Sequence, residues 1–499
     1  MPRRRVAVVL VTVLLLVARW LHRATAQQPA SRAAAAFAPP WASCVRSAAA
    51  TLRASKASYD ALTTRIEATY PNPDFEAGET MPGSDDVHML EALRSAHVHR
   101  VRYRRLLAEH RERDSYALMC GEAFILNLGA PGEVAAKYNG FNVNVARIGD
   151  VFAWALRPMQ STQALTLGFA QHFFDTHVTY ITTASLSDVV GDSLASQDAL
   201  VDATLRAQPL ARTPRFTWRV LGQTAEPQRT IEDARLIASP DGAVVCAVGT
   251  WMQPKFSSAA CSSPSSSPLL EAPLVFAPLL RPGAATNATA RGANFTLSDG
   301  TAQFYSRHDW WKVKNLMPVS VRGVRGVRGV QDATVELIVL DISEQRLTSI
   351  TMSPHAPPRV KPLSELADCA WLPRTLRGSS SVKRVAGTDV WIALAHARVR
   401  FKLPHQAYVH PFIVMRGSGS VPTRCSGVLN EAFLAPARLR NTTLGCTRGI
   451  TYVNGFEILE SAVLRHSDGS ARARVRVLVT GGLDDVAAMG ALAELWIRV

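Results

Sequence analysis

From about Leu118 onward, apolar residues come in short runs broken by Gly, Pro, Asn and Asp. Phe141–Ala146, Val151–Leu156, Ala243–Gly249, Thr334–Leu340, Val390–Leu394, Ala397–Phe401, Gly455–Leu459 and Ala473–Val479 are examples. Runs this short and numerous predict a mainly β domain: a sandwich, a barrel or a propeller. Long helical periods are missing from this part of the chain. The exception is Asp484–Trp496, whose apolar residues suit either a helix or a closing strand.

The chain before Leu118 follows another period. Val45, Ala49, Leu52, Tyr59, Leu62 and Ile66 recur at helical spacing, and Met89, Leu93, Ala96, Tyr103 and Leu107 do the same. Between the two sets, Pro71-Asn72-Pro73 and Pro82-Gly83-Ser84 are turn chemistry. Two helices joined this way predict an antiparallel hairpin. The hairpin returns the chain to its starting point, so Cys44 and Cys120 are expected to meet in a disulfide. The hairpin reads as a stem or brace without chemistry of its own. Its His97 and His99 fall on different faces of a helix and do not form a metal pair.

Further upstream, Arg3, Arg4 and Arg5 precede a run without charge, Val6–Ala18, and Ala24-Thr25-Ala26 fits a small-residue cleavage site. A full membrane span needs about 20 apolar residues, and lengthening this run would bury Arg19. Two readings stay open: a cleaved signal peptide, or a short signal anchor of a type II membrane protein. Both place the remainder in the secretory pathway, in the Golgi lumen or secreted. The expected organisation is a leader over 1–26, a flexible Ala/Pro-rich linker and hairpin stem over 27–117, and the β domain over 118–499.

The net charge of +15 raises nucleic acid as a partner. The basic excess is spread along the chain, and no basic block is interleaved with aromatics, so no nucleic-acid partner is expected. The seven cysteines (44, 120, 246, 261, 369, 425 and 446) form no C-x-x-C pair, which argues against a zinc site. An oxidising compartment permits disulfides, and the odd count leaves at least one thiol free or intermolecular. Asn287, Asn294 and Asn441 each begin an N-x-S/T acceptor for glycosylation. Ser257–Pro268 and Thr286–Asp299 read as insertions, and the Val-Arg-Gly repeat in Val321–Val330 as a surface expansion.

Candidate chemistry centres on Glu232-Asp233-Ala234-Arg235. Breaking a glycosidic bond requires a carboxylic acid to protonate the leaving oxygen. That acid must keep its proton near neutral pH, which a partly buried site or a neighbouring carboxylate provides. Adjacent strand residues point to opposite faces, so one carboxylate faces a site while the other pairs with Arg235. The bland alternative is a surface salt-bridge cluster.

Five motifs occur in one order. Glu232-Asp233-Ala234-Arg235 fits E-D-P-R with Ala for Pro. Val313-Lys314-Asn315-Leu316-Met317-Pro318-Val319 keeps K-N-x-x-P of an E-K-N-W-x-P-F pattern. Arg416-Gly417-Ser418 echoes an R-G-S/G-T-P run. Tyr452-Val453-Asn454-Gly455-Phe456 echoes Y-x-H-x-F without the His. Thr480-Gly481-Gly482-Leu483-Asp484-Asp485-Val486-Ala487 echoes Y-G-x-x-D-x-x-A. In these motifs the chain resembles the five-bladed β-propeller glycosidases, and among them the β-mannoside phosphorylase and mannosyltransferase-like family. The resemblance implies a five-bladed propeller and Asp233 as general acid. It implies sugar or phosphate contacts at Asn142, Arg157, Glu232, Arg235, Lys314, Asn315, Arg416 and Asp484. Phosphorolysis needs one protein acid only, because phosphate is the nucleophile and Arg or Lys holds it. Trp310 and Trp311 are either sugar platforms or rim packing.

Other catalytic signatures find no fitting context: no G-x-S-x-G elbow, phosphate-cradling P-loop, H-E-x-x-H or dinucleotide fingerprint. A D-x-D metal-nucleotide signature is missing too, and no metal or other cofactor is expected. The sequence therefore predicts a propeller acting on mannose-like glycans or sugar phosphates as transferase, phosphorylase or hydrolase, with inorganic phosphate as partner of the phosphorylase form. The alternative is a catalytically inactive propeller that binds glycans or proteins, supported by the substitutions within the motifs.

Overall fold

The computed structural model describes residues 41, 44, 109–128, 140–158, 179–205, 216, 219–220, 230–240, 244–252, 274–280, 296–297, 303–305, 316–326, 329–353, 356–373, 376–399, 407–429, 451–483 and 487–499. They belong to a compact unit, Trp41–Val499; a second unit, Met1–Pro40, lies outside the described residues. The leader, the predicted hairpin with His97 and His99, the Ser257–Pro268 insertion, Thr286–Asp299 apart from Thr296–Leu297, Trp310, Trp311 and the acceptors Asn287, Asn294 and Asn441 also lie outside them.

The described chain is mainly β. Two short strands, β1 (Tyr116–Met119) and β2 (Phe124–Ile125), come first. Four meandering sheets follow in chain order. The first holds β3 (Gly140–Ile148), β4 (Val151–Pro158), β5 (Tyr180–Ala184) and β6 (Arg219–Val220). The second holds β7 (Thr230–Ala238), β8 (Val244–Met252), β9 (Leu274–Leu280), β10 (Thr296–Leu297) and β11 (Gln303–Tyr305). The third holds β12 (Met317–Gly326), β13 (Gly329–Asp341), β14 (Arg346–Ser353) and β15 (Ala356–Glu365). The fourth holds β16 (Leu376–Gly378), β17 (Lys383–Arg384), β18 (Val390–Val399), β19 (Ala407–Val409), β20 (Phe412–Arg416) and β21 (Arg424–Leu429). Last come β22 (Thr451–Arg465), β23 (Ala471–Leu483) and β24 (Ala487–Arg498), and β24 pairs with β1 and β2.

Apolar side chains pack each sheet against the next. Ala153, Ala155 and Ile181 meet Leu236 and Ala247 between the first and second sheets. Ile237, Cys246 and Val248 meet Leu337 and Val339 between the second and third. Met317 and Leu340 meet Trp391 and Ile413 between the third and fourth. Ile392 and Phe412 meet Phe456 and Val477 between the fourth and the last. The last sheet then meets the first through polar bonds: Thr480 donates to the Val143 carbonyl, and the Arg147 amide to the Glu457 carboxylate. Sheets that succeed one another round a closed ring are a propeller arrangement. Four sheets, not five, are blades of chain-consecutive strands, which corrects the simple five-bladed expectation. The remaining sheet is composite, because the register Tyr116↔Trp496 to Met119↔Ala493 staples the chain's first strand to its last. Such closure removes the open edges that unpaired strands would present.

Disulfides join Cys44 to Cys120 and Cys369 to Cys425. Cys246 is a free, buried thiol, and burial pushes its pKa up to about 12. Asp484–Trp496, open between helix and strand in the sequence, supplies β24. Val390–Leu394 and Ala397–Phe401, read as two runs, share one strand, β18. The described residues of the Val-Arg-Gly repeat lie in β12 and the start of β13, and Arg322 is exposed. A helical stretch over 187–205 was not foreseen; its hydrophobic periodicity is weak.

Candidate functional site

The strands that begin each sheet, β3, β7, β12, β16 with β17, and β22, carry the inter-sheet bonds nearest the axis. The first residues of β3 and β7 include four of the predicted site residues, Asn142, Glu232, Asp233 and Arg235. In β3 the pairing with β4 slips between Phe141 and Asn144, and Asn142 takes a positive φ of 52°. In β7 the pairing with β8 slips between Glu232 and Arg235, across Asp233 and Ala234. In β22 the pairing with β23 slips between Val453 and Gly455, which makes Asn454 the extra residue. In β12 the same device falls on Val319. Bulges bend a strand and re-aim a side chain, and they recur beside functional sites. Three of these four place Asn142, Asp233 and Asn454 in the irregular turn of the strand.

Arg235 is buried, at 1% exposure. Its Nε donates to the Ser379 carbonyl (3.1 Å) and an Nη to the Gly378 carbonyl (3.0 Å). The guanidinium therefore bridges the second sheet to the fourth, across the ring, and acts as a brace. Asn144, which the sequence did not single out, is a second brace. Its Oδ1 accepts from the Leu236 amide (2.9 Å), and its Nδ2 donates to the Asn454 carbonyl. Arg157, near the end of β4, is buried and pairs with Phe141 at the same end of the sheet as Asn142. The side chains of Glu232 and Asp233 lie outside the described residues, as do Lys314, Asn315 and Asp484.

Arg416 is not part of this group. It lies opposite Val390 at the start of β18, whereas His396 lies six positions further along that strand, roughly 20 Å away at the usual strand rise. The Arg416 guanidinium pairs with Glu112 (2.8 Å) and Asp389 (3.2 Å) and donates to the Arg498 carbonyl (2.7 Å). Gly417 follows because a Cβ there would stand 2.6 Å from the Val421 carbonyl oxygen. This run is a structural corner, which corrects its assignment as a sugar contact.

A second R-G-S run, Arg377-Gly378-Ser379, sits where the first was expected. Arg377 is directly opposite His396 in the β16–β18 register. The Ser379 hydroxyl is 2.9 Å from His396 Nδ1, and both residues are buried. His396 packs edge to face on Tyr408 (5.7 Å between ring centroids) and Tyr452 (5.0 Å), and His410 lies 6.4 Å from it. The Val453 amide donates to His410 Nε2 (3.1 Å). An Nε2 that accepts has no proton, so His410 is a neutral imidazole with its hydrogen on Nδ1. Two histidines, two tyrosines, a serine and an arginine thus converge from β16 and the residue after it, β18, β19 and the residue after it, and β22. Such a set can donate hydrogen bonds to hydroxyl or phosphate oxygens and offer ring faces to an apolar sugar face. Among the described residues, no group of His, Cys, Asp and Glu could hold a metal ion.

The sequence carried a signal for these residues. Tyr408-Val409-His410-Pro411-Phe412 fits Y-x-H-x-F letter for letter, and the run at Tyr452, first given that role, lacks the His. Both corrected runs keep their order in the chain, between Lys314-Asn315 and the terminal motif.

No protein-family model matches the chain. No curated protein matches it. Similar solved structures include a glycosyl hydrolase from Bacteroides ovatus, at TM-score 0.36 and 10% identity over 74% of this chain and 94% of that chain. Another comes from work on the GH130 family of mannoside phosphorylases and on hydrolases that target β-1,2 mannosidic linkages in Candida mannan, at TM-score 0.35 and 10% identity over 74% and 93%. The catalytic domain of a Coprinopsis cinerea GH62 α-L-arabinofuranosidase follows, at 0.31 and 10% over 74% and 97%. With TM-scores under 0.5, these likenesses carry neither fold nor function across to this chain.

Proposed function

We propose that this chain is a carbohydrate-active propeller protein that makes or breaks glycosidic bonds of mannose-like sugars, with Asp233 as general acid. The composite sheet of β1, β2 and β22–β24 is taken as the fifth blade. The observation that carries the reading is convergence. The backbone slips at Asn142 and Asp233 lie on innermost strands of one ring, the Arg377–Ser379–His396–His410–Tyr452 cluster gathers where β16, β18, the end of β19 and β22 meet, and the runs at 232–235, 377–379 and 408–412 follow the order of the glycosidase family.

In this reading Asp233 protonates the leaving oxygen. Arg377, neutral His410 and Lys314 face the nucleophile side, where phosphate, water or an acceptor sugar arrives, and Asn142, Arg157, Asn315 and Asp484 hold sugar hydroxyls. The disulfides Cys44–Cys120 and Cys369–Cys425 support an oxidising compartment. They fit a secreted or Golgi-lumenal protein with a cleaved or anchoring leader and glycans at Asn287, Asn294 and Asn441. One observation favours the second reading, an inactive glycan-binding propeller: the Arg235 guanidinium is already engaged by the Gly378 and Ser379 carbonyls.

The test is turnover of manno-oligosaccharides and of mannose 1-phosphate plus acceptor, with and without phosphate, by the chain from a secretory host. Asp233→Asn is expected to lower turnover by about 10²-fold or more at unchanged melting temperature. Phosphate dependence separates phosphorylase from hydrolase. Glycan binding without turnover in both proteins establishes the inactive reading.

A further inference from the structure

The two histidines of the cluster are tied, by separate routes, to the strand that carries Asp233. One route runs through the fourth sheet. The Ser379 hydroxyl is 2.9 Å from His396 Nδ1, and the Ser379 carbonyl accepts from Arg235 Nε (3.1 Å), while the Gly378 carbonyl accepts from an Arg235 Nη (3.0 Å). The other route runs through the first sheet. His410 Nε2 accepts from the Val453 amide (3.1 Å), the carbonyl of the next residue, Asn454, accepts from Asn144 Nδ2, and Asn144 Oδ1 accepts from the Leu236 amide (2.9 Å). Arg235 and Leu236 are the first two paired residues of β7 after the slip that contains Asp233 and Ala234. Both routes therefore end beside the same bulge.

A bulge interrupts the ladder bonds that fix the rest of a strand, so its place depends on what anchors the residues beside it. Arg235 and Asn144 are each at 1% exposure. A guanidinium is costly to bury unless it is bonded, and its planar fork spans two successive carbonyls as a lysine ammonium cannot. Asn144 accepts with one end of its amide and donates with the other, which an Asp of the same size cannot do when ionised. Each side chain thus makes bonds that its own residue type is suited to, and each set of bonds ends on the backbone that holds a histidine.

We infer that Arg235 and Asn144 are positioning residues, which set His396 and His410 respectively at fixed places relative to the Asp233 bulge. The inference rests on the carbohydrate reading for its kinetic consequence only; its spectroscopic consequence follows from the bonds themselves.

Nuclear magnetic resonance of the full chain carrying isotope-labelled histidine, with the two signals assigned by His396→Gln and His410→Gln, tests this on Arg235→Lys and Asn144→Asp. Arg235→Lys is expected to shift the imidazole resonances of His396 more than those of His410, and Asn144→Asp the reverse. A role in folding alone lowers the melting temperature without that selectivity, so resonances that move together, or not at all, overturn the inference. Where Arg235→Lys does not fold, Ser379→Ala removes only the last link of the first route and should show the same selectivity for His396. In turnover of manno-oligosaccharides, each variant should lower kcat by about 10- to 100-fold at nearly unchanged KM, since a misplacement of about 1 Å at a reacting group has an effect of that size. A raised KM at unchanged kcat in Arg235→Lys marks a substrate contact and overturns the positioning role. No turnover in the wild type counts against the enzyme reading alone, and the selectivity of the resonances then decides this inference.

Discussion

The tripeptide Arg-Gly-Ser occurs at 377–379 and at 416–418 within one sheet, and the two copies do opposite work. At the first, Ser379 is buried against His396 and its carbonyl receives Arg235 from across the ring. At the second, Ser418 is exposed and Arg416 is locked to Glu112 and Asp389. What separates them is position along the strands. Residues near the beginning of an innermost strand look into the middle of the ring, whereas the far end of β20 meets the incoming chain near Glu112. The same three residues thus line a buried polar cluster in one place and build a structural corner in the other.

That contrast can be broken by substitution. Arg416→Ala should have the largest effect on stability, lowering it by about 3–5 kcal/mol, because Glu112 is left as a buried, unpaired carboxylate. Urea denaturation measures it, and sugar affinity of the folded fraction should not change. Arg377→Ala should do the reverse. Its melting temperature should stay near wild type, while affinity for mannose 1-phosphate falls about 10- to 100-fold, the worth of a charge-assisted hydrogen bond, read by calorimetry. Should Arg377→Ala unfold the chain with affinity intact, the division between the two copies is lost. Ser379→Ala removes the hydroxyl facing His396 and should cost about 1 kcal/mol in denaturation, with a change in the His396 imidazole resonances. Ser418→Ala should stay within about 0.5 kcal/mol of wild type in both measurements.

A further comparison concerns thiols. The pKa of Cys246, raised by burial, keeps it protonated across the physiological range. It should not react with iodoacetamide until the chain unfolds, as mass spectrometry of native and denatured protein can show.

Much of the strand pattern was legible because each run is a short apolar stretch broken off by Gly, Pro, Asn or Asp. The runs at Phe141, Val151, Thr334, Val390, Gly455 and Ala473 fall within strands, as does the run at Ala243 from Val244 onward. The helical stretch at 187–205 was not legible, since its side chains divide between sheet contacts and solvent without a clean period. At the candidate site, Arg235 came from a motif and Asn142 and Arg157 from the family resemblance; Arg157 and Arg235 are buried, and the Asp233 backbone lies within a bulge. His396, Tyr408 and Ser379 were missed, although Tyr408-Val409-His410 was in plain view.

The sequence alone determined which segments are strands, which cysteines could leave a thiol over, and which residue types could protonate or hold a sugar. Those are properties of local spacing and side-chain chemistry. Only the tertiary structure decided which of two identical tripeptides lies against His396, that Arg235 braces one sheet to another, and that Asn144 ties the Leu236 amide to the Asn454 carbonyl. Each depends on residues scores of positions apart being carried to the same depth by different strands, and no local pattern records that.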